Sequence, residues 1–181
     1  MKFKITLKID RKYGDLLPFN YQYEQSAVIY RILAQADTQY SSWLHENGYL
    51  LHERKRFKLF CYSPFIFEKV RPLPEAGCLK IIGERAVWYI SFIPEKSTLE
   101  FIQGIFAHQS FTIGNKKYQV AFDVVGVEAI PMPQLSEEMT FVALSPICVK
   151  LHEDNKTQYL SPDNSMFSEG VLKGLMARYE S

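Results

Sequence analysis

Between Pro18 and Ser63 the chain places a phenol, Tyr30, an imidazole, His45, and the densest run of positive charge in the sequence, Arg54, Lys55, Arg56 and Lys58, on adjoining segments. An imidazole has an unperturbed pKa of about 6.5, so it can take or give a proton near neutral pH. Set beside cations, such groups are the parts of an acid–base site acting on an anion. Each also has an ordinary structural alternative. A Tyr on an apolar helix stripe is commonly a core residue with a satisfied hydroxyl. A His near a helix C-terminus interacts with the helix dipole. A Lys flanking a strand is normally solvated, and a basic loop can be plain surface.

The elements that must position these groups follow from local pattern. Ala27, Val28, Ile32 and Leu33, joined by Tyr23 and Tyr30, form a helix-period stripe, and the spacing predicts a helix over Tyr21 to Ala36 after Pro18 and an N-cap at Asn20. Asp37 and Thr38 are N-cap types, and Tyr40, Trp43 and Leu44 predict a second helix from Gln39 to Glu46, stopped by Asn47-Gly48. The break is essential. On one unbroken helix at about 1.5 Å per residue, Tyr30 and His45 would stand roughly 22 Å apart; a turn near Asp37 lets them meet.

Composition narrows the class. The chain has 181 residues, is 47% hydrophobic and carries a net charge of +1. It contains no run of about 18 apolar residues and no signal-peptide pattern, which predicts a soluble cytoplasmic protein. Any nucleic-acid surface must therefore be local. Cys61, Cys78 and Cys148 form no C-x-x-C pair and read as reduced thiols. No phosphate-loop, dinucleotide or nucleophile-elbow motif is present.

In chain order, Phe3, Ile5, Leu7 and Ile9 alternate with polar residues as in a half-buried strand. FKLFCYSPFIF follows the two helices as a strand broken by Pro64, and LKIIGERAVWYISFI reads as a hairpin turning at Gly83 to Arg85. Pro94 to His108 is the next helix, with a capping box of Ser97 and Glu100 and with Leu99, Ile102 and Phe106 on its packed face. Two more strands join at a two-residue Gly114-Asn115 turn. The order β-α-β-β-α-β is a split βαβ, or ferredoxin-like, α+β arrangement over residues 1–130. A connector rich in proline then leads to a strand, Thr140 to Leu151, and a helix after Asn164, the start of an incomplete second ferredoxin-like domain over 131–181. The apolar faces of that half-domain are expected to pack on the first domain's sheet or to join two copies of the chain.

The runs NYQYEQSAVIYRIL, WLHENGY, FKLFCYS and ALSPICV, in that order, resemble the CRISPR-associated endoribonucleases of the RAMP superfamily, which cut repeat RNA into guide units. The resemblance implies two ferredoxin-like domains in tandem and metal-independent cleavage, in which a ribose 2′-OH attacks the adjacent phosphate to leave a 2′,3′-cyclic phosphate and a 5′-hydroxyl. His45 matches the family's catalytic histidine, Tyr30 its tyrosine, with a hydroxyl to orient or exchange a proton, and Lys58 a basic residue able to stabilise the pentavalent phosphate. Arg54, Lys55 and Arg56, with Lys69 and Arg71, would line a phosphate track. The implied partners are CRISPR repeat RNA, other CRISPR-associated proteins and a second copy of the chain.

Family members close with further strands and a glycine-rich loop that the nine scattered glycines here do not form, so a truncated or divergent member is expected. No metal or cofactor is expected. The pairs His45-Glu46 and His52-Glu53 lack the tight spacing of a zinc motif, and His108 and His152 have no partners in sequence. Two other functions fit the same features: a non-catalytic RNA-binding RAMP subunit of a CRISPR complex, and a ferredoxin-like interaction domain with no RNA role.

Overall fold

The computed structural model describes residues 1–51, 55–143, 147–153 and 156–179. The chain runs β1 (Lys2–Asp10), β2 (Leu16–Pro18), α1 (Gln22–Ala36), α2 (Thr38–Glu46), β3 (Tyr49–Leu51), β4 (Lys55–Phe57), β5 (Phe60–Tyr62), β6 (Ile66–Phe67), β7 (Val70–Leu73), β8 (Cys78–Ile81) and β9 (Arg85–Phe92). It continues through α3 (Glu95–Ala107), β10 (Ser110–Gly114), β11 (Gln119–Ile130), β12 (Val149–Glu153), β13 (Lys156–Leu160) and α4 (Ser165–Tyr179).

The main sheet has the order β10-β11-β1-β9-β5, with β6 also on β9, and all of its pairings are antiparallel. Strand β9 lies between β1 and β5, which is the split βαβ of the ferredoxin-like fold, and β10 extends the sheet beyond β11. The alternation in β1 works as the pleat requires: Phe3, Ile5, Leu7 and Ile9 are all buried, while Lys2 and Lys8 are exposed. Helices α1 and α3 cover the apolar face, where Phe101 packs on Phe3 and Phe92. The two helices approach so closely that a Cβ added at Gly104 would stand 1.9 Å from the carbonyl oxygen of Ile32.

Several local expectations are corrected. Strand β8 does not form a hairpin with β9; it lies between β2 and β7 in a separate three-stranded sheet, because β9 is already flanked by β1 and by β5 and β6. The N-cap position of α1 is Tyr21, which makes no side-chain cap, so Asn20 does not act as its N-cap. In α3 no capping box forms, since Ser97 is buried and its hydroxyl bonds the hydroxyl of Tyr40. The packed face of α3 is Ser97, Thr98, Phe101, Gly104 and Ile105, leaving Leu99 and Phe106 exposed. Finally, the β10–β11 turn spans residues 115–118, with the Asn115 side chain accepting from the backbone of Lys117 and Tyr118, rather than two residues at Gly114-Asn115.

Beyond residue 130, residues 140–143 have no regular structure, and among the described residues the expected strand is extended only in β12. Its partner β13 has no counterpart among the strands expected from sequence pattern. Helix α4 lies against β12, where a Cβ at Gly170 would come within 2.5 Å of Val149, and its Leu175 and Met176 are exposed. Strands β12 and β13 thus form their own two-stranded sheet and do not extend the main sheet.

Candidate active site

The break between α1 and α2 is built by Asp37. Its backbone is extended, and its carboxylate accepts from the Tyr40 amide at 2.8 Å, capping α2. The hydroxyl of Ser41 then donates to the Tyr30 carbonyl at 2.8 Å and ties α2 back onto α1 at Tyr30. The Tyr40 hydroxyl lies 3.0 Å from that of Tyr49 and also bonds Ser97, fixing α2 to β3 and α3. At the far end Gly48, at φ 69°, ends α2 with its amide 3.1 Å from the Trp43 carbonyl oxygen.

This folding back sets the rings of Tyr30 and His45 4.9 Å apart between centroids and at 82° to one another. On its other side Tyr30 meets Phe60, at 5.7 Å and 77°. Tyr30 is half-buried and His45 is exposed, so the pair opens to solvent. Burial, and then the neighbouring Tyr62, push the Tyr30 phenol above its ordinary range, so that it keeps its proton at neutral pH. The Lys58 ammonium donates to the carbonyls of Leu44 and His45, a cation on the C-terminus of α2. It is therefore not a solvated surface lysine, since its ammonium is bound at the helix end. It holds the helix end that carries His45.

The basic residues divide. Arg54 lies outside the described residues, as do His52 and Glu53, and for Lys55 and Arg56 only the backbone is described, on β4 opposite Leu51 and Leu50. Lys69 and Arg71 are exposed; Arg71 lies on β7 opposite Lys80 in the β2-β8-β7 sheet, and Lys69 immediately precedes that strand. Phe60 pairs with Phe92 at one end of β9, whereas the chain just before Lys69 bonds Arg85 at the other. At about 3.3 Å per residue these ends are roughly 23 Å apart. The structure thus brings Tyr30, His45 and Lys58 together and sets Lys69 and Arg71 apart from them. Sequence patterning did not single out Ser41 or Phe60, whose contacts with Tyr30 depend on the tertiary fold. Among the described residues no group of three His, Cys, Asp or Glu side chains gathers as a metal site would.

Comparison with known proteins agrees with this fold. The family model for CRISPR-associated protein Cas6, N-terminal, matches residues 16–123, and that for CRISPR associated protein Cas6, C-terminal, matches residues 130–181. The chain is 28% identical over 182 residues to the CRISPR-associated endoribonuclease Cas6 1 of Methanocaldococcus jannaschii, covering 98% of this chain and 66% of that protein. It is 24% identical to the CRISPR-associated endoribonuclease Cas6 of Pyrococcus furiosus, covering 99% of this chain and 64% of the relative. It thus spans about two thirds of the length of the curated relatives it matches. Among solved structures, that of a Cas6-related protein from Pyrococcus furiosus superimposes with a TM-score of 0.79 at 25% identity, covering 99% of this chain and 69% of that one. A RAMP protein described as binding different RNA substrates superimposes with a TM-score of 0.76 at 26% identity, covering 99% and 70%. With both family models matched in order along a ferredoxin-like chain, the protein belongs to the Cas6 family of CRISPR-associated proteins.

Proposed function

We propose that the chain binds CRISPR repeat RNA and cleaves precursor transcripts into guide units without a metal ion, by attack of a ribose 2′-OH on the adjacent phosphate. The observation that carries this reading is the Tyr30–His45 pair, a phenol and an imidazole 4.9 Å apart between ring centroids at a solvent-open corner between two helices. In-line attack needs a base for the 2′-OH proton, a donor for the leaving 5′-oxygen and positive charge at the phosphate. Tyr30 keeps its proton at neutral pH, so its hydroxyl would orient the reacting phosphate or donate a hydrogen bond to an oxygen that gains charge. His45 is left to exchange protons with the 2′-OH and the leaving group. Lys58 positions His45 through the α2 carbonyls and places a positive charge beside the site. Arg54, Lys55 and Arg56 would follow the RNA backbone, with Lys69 and Arg71 as a separate contact.

The products would be a 2′,3′-cyclic phosphate and a 5′-hydroxyl. Incubation of end-labelled repeat RNA with the protein in EDTA should give one specific cut with these ends. Replacing the 2′-OH at the cut by hydrogen should abolish it. Cleavage of the deoxy substrate at the normal rate, or a strict need for a divalent ion, would overturn the mechanism. The RAMP neighbour described by its binding to RNA supports a second reading, a subunit that binds RNA without cutting it. Tight binding with no product under the same conditions would favour that one. Other CRISPR-associated proteins and a second copy of the chain are further proposed partners, the latter through the exposed Leu175 and Met176 of α4.

A further inference from the structure

Among the described residues, Leu59 is the one non-glycine residue with a positive φ, at 53°. In that left-handed region the Cβ of an L-residue crowds its own backbone, and leucine has no polar side chain to offset the crowding. Such a residue persists where its surroundings over-determine it, and strain of this kind gathers at functional sites. Leu59 is where the chain leaves the β3-β4 hairpin and enters the main sheet. Its carbonyl accepts from the Ile93 amide at 3.0 Å, one step beyond the Phe60–Phe92 pair. Its two neighbours are the two supports of the candidate site. Lys58 holds the C-terminus of α2 under His45, and Phe60 packs on the ring of Tyr30.

We infer that Leu59 is a positioning residue whose left-handed backbone sets the Tyr30–His45 ring pair; its catalytic consequence rests on the proposed RNA cleavage. In an extended chain the side chains of residues 58 and 60 would project to the same side. A left-handed residue between them turns the chain, so that Lys58 reaches the helix end while Phe60 joins the sheet beneath Tyr30. One backbone conformation thereby fixes both partners of the ring pair, one from the α2 side and one from the α1 side. The inference differs from a packing role because it concerns the backbone at Leu59 and not the volume of its side chain.

The test uses the full chain and three substitutions chosen by backbone preference. Asparagine tolerates the left-handed region, glycine enters and leaves it freely, and valine resists it. Two readouts are taken: the NMR cross-peaks between the Tyr30 and His45 rings, and the split of repeat-RNA cleavage into kcat and KM. Leu59→Asn should keep the ring contact and the rate. Leu59→Gly should leave the chain folded, weaken the ring contact and lower kcat by about 10- to 100-fold, the scale of an ångström-sized misplacement, with KM unchanged. Leu59→Val should lose most of both. A glycine variant with unchanged ring cross-peaks and unchanged kcat would overturn the inference, as would an asparagine variant as impaired as the valine one. If the parent protein cuts no RNA, it is the proposed function that fails, and the ring cross-peaks in the glycine and asparagine variants still decide the role of Leu59.

Discussion

The imidazole of His45 stands edge-on to the phenol of Tyr30, 4.9 Å between ring centroids, although fifteen positions separate the two residues along the chain. The contact exists because Asp37 interrupts the helix and Ser41 bonds the Tyr30 carbonyl, folding α2 back on α1.

If this pair cleaves RNA, His45→Ala should lower the single-turnover rate by about 100-fold or more, the usual scale of a lost acid or base. Tyr30→Phe keeps the ring contact and removes only the hydroxyl, so a fall in rate with an intact fold would isolate the donor role. Because burial holds the Tyr30 phenol above its ordinary range, its ionisation should contribute no limb to the pH–rate profile below about pH 10. Profiles of the parent and Tyr30→Phe should therefore have the same shape in that range.

RNA affinity should follow the basic run Arg54, Lys55 and Arg56 and not the net charge, since +1 overall exerts little long-range pull. Neutralising the three together should reduce the slope of log K against log salt by about 0.7 for each phosphate of single-stranded RNA that they no longer neutralise. An unchanged slope in a filter-binding titration would mark the three as a solvated loop.

Gly104→Ala should destabilise the protein by about 2–3 kcal/mol, the upper range for overpacking, because the added methyl would meet the Ile32 carbonyl oxygen at 1.9 Å. The measurement is the urea midpoint at constant m-value. Since Ile32 lies two residues from Tyr30 on α1, the variant should also weaken the Tyr30–His45 ring contact.

Asp37 titrates below the ordinary Asp range because it accepts from the Tyr40 amide and, more weakly, because Lys96 lies at 3.2 Å. A lowered folded-state pKa means that its contribution is present above the unfolded value of about 3.9 and is lost as pH falls through the folded one. The near-UV signal of Trp43, which stacks on Tyr40 in α2, should be flat from about pH 5 to 8 and decline on acidification below that unfolded value. Asp37→Asn retains a capping oxygen without the charge and should flatten the decline.

Periodicity made the first strand, the two helices and the break between them legible, since each depends on residues close in sequence. Phe3, Ile5, Leu7 and Ile9 are buried as their alternation requires, and Asp37 caps α2. The order of elements likewise carried the ferredoxin-like fold, and the four quoted runs carried the family. Strand partners were not legible, because alternation specifies which face of a strand is buried but not which strand lies beside it. Thus β8 and β9, neighbours in sequence, joined different sheets. The packed face of α3 departs from its apolar pattern because small residues decide it: Gly104 lets the α1 backbone come close, turning Leu99 and Phe106 outward. The sequence by itself determined which residue types could do acid–base chemistry and that a turn had to bring them together. Only the tertiary structure decided that Lys58 caps α2, that Phe60 backs Tyr30, and that Lys69 and Arg71 lie at the other end of β9, because each depends on where strands pair across long stretches of chain.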